Sequence, residues 1–468
     1  MAQTNWKGKR VVIIGAARQG LALARYLARH GAHVILNDRR QREQLTAEME
    51  SLAKYEIEWA TGGHPLEILE PHPDLLCVSG GVPLDNPLVV FARTNGIRLS
   101  NDTQIFMDAA PCKTVGITGS AGKTTTTTLV GRMAQSGTSG NYGRIWIGGN
   151  IGDPLLNYVD EMQPSDLAIL EMSSFQLELM NSSPNVAAIL NITPNHLDRH
   201  GTMEDYTAAK ARILVYQTTD DYAILGRDDP GAWALAANIR NRLFSFGFSP
   251  LPAGQNGGYV ENEKFYLREG DRVTRLPVEE HIELRGDHNR LNVLAACTIA
   301  HAAGLSTEAM LAGITGFHGV PHRLEFIRTW RGAHWYNDSI ATAPERTIAA
   351  IKSFGGPLIL LLGGRDKNLP WDDLGKLIRQ RVDHVVIFGQ AAEKIQAAIG
   401  QRIPGSRPFS LTRVEKCQDA VLAASRLAQP GFVVLFSPGG TSYDEFKDFE
   451  ERGERFKQWV LEFSETLR

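Results

Sequence analysis

The sequence predicts three α/β domains in series, each built around a mostly parallel β-sheet. Three observations support this fold class. The chain has 468 residues, which is enough for about three domains of ordinary size. Short apolar runs alternate with amphipathic stretches, which is typical of parallel strands covered by helices on both faces. The 45 glycines follow no fixed period, and glycines at strand ends favour an α/β protein that binds phosphate groups.

Composition and charge exclude several other classes. Hydrophobic residues make up 43% of the chain and charged residues 22%, so a disordered or fibrous protein is excluded. The net charge of -3 does not favour extensive binding to nucleic acid or to an anionic membrane. The N-terminal apolar run ends at Gly15 and is too short for a signal peptide or a membrane span. The four cysteines are widely spaced and form no CxxC pair, so neither a zinc knuckle nor a disulfide framework is indicated, which suits a cytoplasmic protein; they are Cys77, Cys112, Cys297 and Cys417.

The first predicted domain, residues 1–112, is Rossmann-like. Its predicted elements are strands at 10–14, 33–37 and 75–78 and a helix at 20–30. A loop from Gly15 to Gly20 joins the first strand to the helix, and Asp38 ends the second strand. In a Rossmann fold such an acidic residue meets a ribose hydroxyl. Because Ala17 replaces the middle glycine of the fingerprint, three interpretations stay open: NAD, another nucleotide, or close packing of strand and helix alone.

The second predicted domain, residues 113–318, contains the strongest chemical signal. The segment Gly116-Ile-Thr-Gly119-Ser120-Ala121-Gly122-Lys123-Thr124-Thr125 lies between a strand at 114–118 and a helix. Backbone N–H groups of such a loop cradle phosphate oxygens, Lys123 reaches the β- and γ-phosphates, and the Thr124 hydroxyl is a ligand for Mg²⁺. The spacing is a variant, because the usual first glycine position holds Ile117. Further strands are predicted at 167–170 and 186–190, β-hairpins at 245–282 and a helix at 288–303.

Polar residues at the ends of these strands are candidate metal ligands. Glu171 follows the strand at 167–170, where an acidic residue can hold Mg²⁺ or its water shell. His196 lies in a polar segment after the next strand and could bind a metal or orient phosphate. Lys210 lies on a helix soon after. Taken alone, each of these side chains could also be a solvated surface residue.

The third predicted domain, residues 319–468, is again Rossmann-like. Its strands are predicted at 335–337, 358–362, 384–388 and 432–436, and a charged amphipathic helix closes the chain at 443–466. Polar clusters at 322–325, 337–339, 363–367 and 437–442 lie at strand ends or in the linker before them. Together they predict a site along one edge of the sheet.

The ordered set of motifs resembles the Mur ligases of bacterial cell-wall synthesis over nearly the whole chain. The resemblance rests on the phosphate-binding segment and on Glu171-Met-Ser-Ser-Phe-Gln. It also rests on Gly149-Asn150-Ile-Gly152, on 191–198, on Lys210 with its neighbours, and on 287–292, 322–325, 337–339 and 437–438. The closing segment 442–453 looks specific to the glutamate-adding members of the family.

The resemblance implies an ATP-dependent ligase that adds D-glutamate to UDP-N-acetylmuramoyl-L-alanine through an acyl phosphate, in peptidoglycan precursor synthesis. L-glutamate or another amino acid is an alternative acceptor, because Ile340 stands where glutamate-adding members usually carry lysine. A folylpolyglutamate synthase-like ligase is a further alternative. Two alternative hypotheses belong to other functional classes: a phosphate-loop switch protein, and an NAD dehydrogenase with an added nucleoside triphosphatase.

The resemblance also implies roles for individual residues, the cofactors ATP and Mg²⁺, and a monomer that binds neither nucleic acid nor membrane. Lys123, His196 and Lys210 are the implied catalytic residues. The implied metal ligands at two Mg²⁺ sites are Thr124, Glu171, His196 and Lys210, the last carbamylated. ATP is assigned to Gly119, Ser120, Ala121, Gly122, Lys123, Thr124, Thr125, Asn289, Asn292, Arg323 and Asp338. The UDP substrate is assigned to Arg18, Gln19, Asp38, Arg39 and Asn150, and glutamate to Thr342, Lys367, Ser442 and Phe449.

Overall fold

The structure is a computed structural model that describes residues 5–136, 142–284, 286–366, 369–401 and 403–463. The chain divides into two compact units, residues 1–317 and 318–468. The first unit contains two β-sheets and the second contains one. The boundaries of the three predicted domains, 1–112, 113–318 and 319–468, stay a prediction.

The N-terminal sheet has five parallel strands. Its elements are β1 (Arg10–Ile14), α1 (Arg18–Arg29), β2 (His33–Asp38), α2 (Thr46–Ser51), β3 (Ile57–Thr61), β4 (Leu75–Val78), α3 (Pro87–Thr94), β5 (Leu99–Ser100) and α4 (Asp102–Ala109). The strand order is β3-β2-β1-β4-β5. The predicted helix at 20–30 begins earlier, at Arg18, because Gly20 has no side chain and its turn packs directly against the carbonyl oxygen of Gly15. Arg18 and Gln19 therefore belong to the helix and not to a loop.

The second sheet has nine strands. Its strands and helices are β6 (Lys113–Thr118), α5 (Lys123–Gln135), β7 (Ile145–Gly149), β8 (Leu167–Glu171), α6 (Ser174–Leu177), β9 (Val186–Ile189), α7 (Leu197–His200), α8 (Met203–Val215), β10 (Tyr222–Gly226), α9 (Pro230–Trp233), β11 (Arg242–Gly247), β12 (Asn256–Glu261), β13 (Lys264–Glu269), β14 (Arg272–Leu276), α10 (Asp287–Ala303) and α11 (Thr307–Ile314). The order is β14-β13-β12-β11-β10-β9-β6-β8-β7.

The predicted hairpins occupy only part of the expected range. β12, β13 and β14 form antiparallel hairpins, as expected. The start of the range, 245–247, belongs instead to β11, which pairs in parallel with β10 and β12. The hairpins therefore extend the parallel sheet and do not form a separate insertion.

The third sheet has six strands. Its elements are β15 (Glu325–Trp330), β16 (Ala333–Asn337), α12 (Pro344–Lys352), β17 (Leu358–Gly363), α13 (Asp372–Arg381), β18 (His384–Phe388), α14 (Ala392–Ile399), β19 (Ser410–Arg413), α15 (Cys417–Leu427), β20 (Val433–Gly439) and α16 (Phe449–Leu461). The order is β15-β16-β20-β17-β18-β19, and only the β15–β16 pair is antiparallel. The predicted closing helix at 443–466 is shorter: it begins at Phe449, where the Asp448 side chain caps it, and ends at Leu461.

Apolar residues of the strands form the cores. One continuous core lies under both sheets of the first unit, from Trp6 to Ala232. The third sheet is covered on both faces, by one core that includes Trp335 and another that includes Leu360. In the described part of the chain, no helix is both long and apolar enough to cross a membrane. Since the parallel strands bury their apolar side chains, the polar residues that follow them are left at the carboxyl edges of the sheets.

Candidate active site

A glycine-rich loop follows β6 and leads into α5. We call residues 119–122 the phosphate loop. Gly122 has a φ of +82°, and a side chain there would place its Cβ 2.3 Å from Oδ1 of Asn292. The left-handed backbone therefore favours glycine at this position, and the Asn292 side chain of α10 lies close to it. Lys123, Thr124 and Thr125 form the first turn of α5, where backbone N–H groups and the helix dipole favour a phosphate.

The segment after β9 holds the phosphate loop in place. The Asn191 side chain accepts a hydrogen bond from the N–H of Ala121 (2.8 Å) and donates one to its carbonyl (3.1 Å). The Ser120 hydroxyl donates to the carbonyl of Thr193 (2.9 Å) and lies 3.0 Å from the Tyr206 hydroxyl. Because these bonds fix the loop from the side, its remaining N–H groups are preorganised for a ligand.

Two lysines meet at the phosphate loop. Nζ of Lys123 donates to the carbonyl of Gly119 (2.8 Å), and Nζ of Lys210, on α8, donates to the same oxygen (3.0 Å). Lys210 is only 1% exposed. Burial lowers the pKa of Lys210 to about 7, and the nearby positive charge of Lys123 acts in the same direction. The negative charge of Glu171 acts in the opposite direction and offsets only part of this effect. Near neutral pH a large fraction of Lys210 is therefore a neutral amine.

Glu171 ends β8 between the phosphate-loop strand and β7. One carboxylate oxygen, Oε1, accepts a hydrogen bond from Asn150 (3.0 Å). The other, Oε2, is buried without a hydrogen-bond partner. A buried carboxylate oxygen that no protein donor reaches is chemically suited to a hard cation. No cluster of three or more His, Cys, Asp or Glu that could hold a metal occurs in the described ranges. A cation here would need other oxygens, such as the Thr124 hydroxyl and ligand phosphates.

His196 is exposed and directly precedes α7. Its backbone is left-handed, with a φ of +53°. Its ring packs edge-on against Phe175, with 5.1 Å between the ring centroids. The predicted catalytic residues Lys123, His196 and Lys210 thus all belong to the elements that surround the phosphate loop.

The predicted UDP residues lie around the loop between β1 and α1. Asp38 is buried at the end of β2 and accepts hydrogen bonds from the N–H of Ala16 (2.8 Å) and from the Arg40 side chain (3.1 Å). Burial opposes ionisation, yet the hydrogen bonds from Arg40 and Ala16 hold the pKa of Asp38 below its usual value. Asp38 therefore stays charged and holds the loop between β1 and α1 through the N–H of Ala16. Arg39 is exposed beside it.

Two further UDP candidates connect the N-terminal sheet to loops nearby. Gln19 accepts a hydrogen bond from the N–H of Gly80 (3.2 Å), which follows β4. Arg18 donates to the carbonyl of Gly152 (3.3 Å), two residues after Asn150. These bonds bring Gln19 to the end of β4 and Arg18 to the segment after β7 that also contains Asn150.

In the second unit, Asp338 and Arg323 lie near the end of β16. Asp338 accepts hydrogen bonds from the Ser437 hydroxyl (2.8 Å) and from the N–H of Leu324 (3.2 Å). Burial raises the pKa of Asp338 to about 6, while hydrogen bonds and the nearby arginines act in the opposite direction. Arg323 stands between His322 and Leu324, whose φ angles of +62° and +44° are strained for non-glycine residues.

The predicted glutamate residues lie at the same edge of the third sheet. Thr342 follows β16, the buried Ser442 follows β20, and Phe449 begins α16. The carbonyl of Phe449 accepts a hydrogen bond from Ser339 (2.8 Å). Lys367 lies outside the described residues. The Arg346 guanidinium donates to the carbonyl of Ile340 (3.3 Å), so a cation lies beside the residue that replaces the usual lysine.

Several residues that build these sites were not among the predicted site residues. Arg40 holds Asp38, Tyr206 contacts the phosphate loop, and Arg452 holds two loops of the third sheet. Arg452 is 0% exposed and donates to Ser339 and to the carbonyl of Gly440. Arg40 follows Asp38 by two residues, and Tyr206 precedes Lys210 by four, so spacing gave some signal. Nothing in the sequence indicates that Arg452 is buried.

The three sheets and the phosphate loop define an α/β nucleotide-dependent enzyme with a C-terminal Rossmann-like part. Three regions match known domains: 9–101 the "Mur ligase MurD-like, N-terminal domain", 117–300 the "Mur ligase middle domain" and 322–440 the "Mur ligase, glutamate ligase domain". The chain belongs to the Mur ligase family.

Individual relatives match nearly end to end. The UDP-N-acetylmuramoylalanine--D-glutamate ligase of Symbiobacterium thermophilum is 37% identical over 97% of this chain and 98% of its own. The enzyme of the same name from Acidobacterium capsulatum is 40% identical over 97% and 96%. Among solved structures, MurF from Acinetobacter baumannii covers 95% of this chain and 93% of its own with a TM-score of 0.54 at 19% identity. That structural similarity supports the fold.

Proposed function

We propose that this chain is an ATP-dependent ligase that joins D-glutamate to the alanyl carboxylate of UDP-N-acetylmuramoyl-L-alanine. Membership of the Mur ligase family and end-to-end relatives with that name support the activity. The observation that carries the chemistry is the convergence of Lys123 and Lys210 on the Gly119 carbonyl, beside a carboxylate with an unpaired oxygen. These groups are arranged to stabilise a phosphoryl group during its transfer.

The reaction needs two bond-forming steps. A carboxylate oxygen of the alanyl group attacks the γ-phosphorus of ATP, ADP leaves, and an acyl phosphate forms. The amine of glutamate then attacks the acyl carbon, an amide forms, and inorganic phosphate leaves with the proton lost from nitrogen. In the first step negative charge accumulates on the phosphoryl oxygens, so the role of the protein is mainly positioning and charge compensation.

Lys123 and the N-terminus of α5 supply positive charge at the phosphates. Lys123 is flexible enough to exchange its bond with Gly119 for one with a phosphate oxygen. Thr124 and Glu171 would hold Mg²⁺, and the unpaired buried oxygen of Glu171 fits that role. When bound, Mg²⁺ neutralises phosphate charge and orients the phosphates. We further propose that Gly119 to Thr125, Asn289, Asn292, Arg323 and Asp338 bind ATP.

We propose that Lys210 reacts with CO₂. Its neutral amine forms an N–C bond to the carbon of CO₂ and loses a proton, which converts a cationic side chain into a carboxylate. The lowered pKa favours this reaction because only the neutral amine is a nucleophile. A carbamate at Lys210, together with His196, would hold a second Mg²⁺, for which an ammonium group is unsuited.

We propose that the UDP substrate lies along Arg18, Gln19, Asp38 and Arg39, with its alanyl end near Asn150. Asp38 and Arg40 form a fixed, charged surface at this loop. For glutamate we propose Thr342, Ser442, Phe449 and Lys367. Arg346 would supply the positive charge that Ile340 does not. We propose that the protein acts as a cytoplasmic monomer.

Phosphate release tests the proposed ligation. We expect rapid release from ATP only when UDP-N-acetylmuramoyl-L-alanine and D-glutamate are both present, with L-glutamate much less effective. Lys123→Ala should lower kcat by about 100-fold or more, because one charge at the transferred phosphoryl group is lost. Lys376→Ala, at an exposed ion pair, is the control.

If phosphate were released from ATP at the same rate without the UDP substrate, this result would contradict ligation and favour a phosphate-loop switch protein. Faster turnover with L-glutamate than with D-glutamate would show that the site accepts the L-isomer. Full activity of Lys123→Ala would refute the role of the phosphate loop.

Isotope labelling tests the carbamate. In ¹³C-bicarbonate, NMR of the wild-type protein should show a carbamate signal that is absent in Lys210→Arg, whose side chain stays protonated. Because the pKa of Lys210 is about 7, the signal should grow as the pH rises through neutrality and more of the amine is neutral. A wild-type enzyme that is fully active without the signal would contradict the proposal.

Amino-acid kinetics test Arg346. Arg346→Met should raise KM for D-glutamate about 10-fold, since a hydrogen-bonded charge is lost, and leave KM for ATP unchanged. Arg413→Met, at an exposed position on β19, is the control. Ile340→Lys should restore most of the affinity in the Arg346→Met background. An unchanged KM for D-glutamate would exclude Arg346 from the glutamate site.

A further inference from the structure

Phe175 contacts three side chains of a very short segment. This residue lies on α6, and the segment consists of His196 and the four residues of α7. The His196 ring packs edge-on against the Phe175 ring, and the Arg199 guanidinium lies 3.9 Å from the ring centroid. The His200 ring stacks nearly parallel on Phe175, with 5.4 Å between centroids and 14° between planes. One aromatic ring therefore fixes both ends of α7.

His200 is buried and joins two side chains of the α6 segment. Its Nε2 lies 3.0 Å from the Ser174 hydroxyl, and its Nδ1 lies 2.9 Å from Oε1 of Glu178. Burial, followed by the nearby Arg199 charge, lowers the pKa of His200, which favours the neutral ring with one N–H. The consistent assignment is that Nδ1–H donates to Glu178 and the Ser174 hydroxyl donates to Nε2.

The order serine, histidine, glutamate is also that of a hydrolase triad. Ser174 is 3% exposed, so its hydroxyl has no surface from which to attack a substrate. Its oxygen is engaged with His200 at the start of α6. These three side chains therefore serve to fix α7 against α6.

Arg199 extends the same contacts to the N-terminal sheet. Its guanidinium donates to the carbonyls of Gly80 (2.8 Å) and Val82 (3.1 Å). The N–H of Gly80 in turn donates to Gln19, one of the proposed UDP residues. The segment that carries His196 is thus hydrogen-bonded to the loop proposed to bind the UDP part of the substrate.

His196 itself needs such support. The left-handed backbone of His196 is unfavourable for a non-glycine residue and persists only where its surroundings hold it. We infer that Phe175, Glu178 and His200 are positioning residues that hold His196 at the reaction centre, and that Arg199 links this position to the UDP loop. The inference rests on the proposed ligase function, in which His196 acts beside the phosphates.

Steady-state kinetics of four variants test the inference. Glu178→Met removes the acceptor for His200, and His200→Phe keeps the stacked ring but removes both hydrogen bonds. Glu178→Gln keeps a neutral acceptor. His301→Phe is the matched control, since His301 makes a similar 3.0 Å contact with Glu269 outside the site.

For Glu178→Met and His200→Phe we expect kcat to fall about 10- to 100-fold, because a small displacement of a catalytic group has effects of that size. KM for ATP should change less than about twofold. Glu178→Gln should keep kcat within about threefold of the wild type with an unchanged pH profile, and His301→Phe should match the wild type. ATP binding measured by calorimetry confirms that each variant is folded.

Two results would overturn the inference: wild-type kcat in both Glu178→Met and His200→Phe, or a shifted pH profile in Glu178→Gln, which would indicate proton transfer through His200. A wild-type chain that shows no ligation at all would instead contradict the proposed function. The two failures are therefore distinguishable.

Discussion

The carbonyl oxygen of Gly119 is the point around which the first unit's site is arranged. Two lysine side chains, those of Lys123 and Lys210, donate to this one atom. Such proximity of like charges is unfavourable, and burial of Lys210 adds to the cost, so its pKa falls to about 7. The arrangement persists because Asn191 and Tyr206 fix the loop from outside. A ligand that brings negative charge, or a modification that removes the positive charge of Lys210, relieves the conflict.

Sheet order explains why the other functional side chains are close to this point. The strands β9, β6, β8 and β7 are neighbours and parallel. Their carboxyl ends therefore place Asn191, the phosphate loop, Glu171 and Asn150 side by side. This part of the site is predictable from the sequence because buried parallel strands appear as continuous apolar runs, and because the phosphate loop, Glu171 and the 191–198 segment each follow such a run.

Other features depend on contacts between distant segments, and local pattern could not predict them. The early start of α1 depends on contact between Gly20 and Gly15, and the late start of α16 on the cap by Asp448. The hydrogen bond from Arg40 to Asp38 and the burial of Arg452 likewise depend on the tertiary structure. In the motif Glu171-Met-Ser-Ser-Phe-Gln, the sequence predicts a role for the acidic residue Glu171. The contacts of Phe175 with His196 and α7 are seen only in the structure.

We propose that the carboxyl edge of the second sheet transfers a phosphoryl group to a carboxylate before the amide bond forms. A direct test uses UDP-N-acetylmuramoyl-L-alanine labelled with ¹⁸O in both oxygens of the alanyl carboxylate, with ATP and D-glutamate. An acyl phosphate keeps one carboxylate oxygen bonded to phosphorus when the amine displaces phosphate. We therefore expect mass spectrometry to find one ¹⁸O atom in each inorganic phosphate released. Unlabelled phosphate, formed at the same rate as the amide, would exclude an acyl phosphate intermediate.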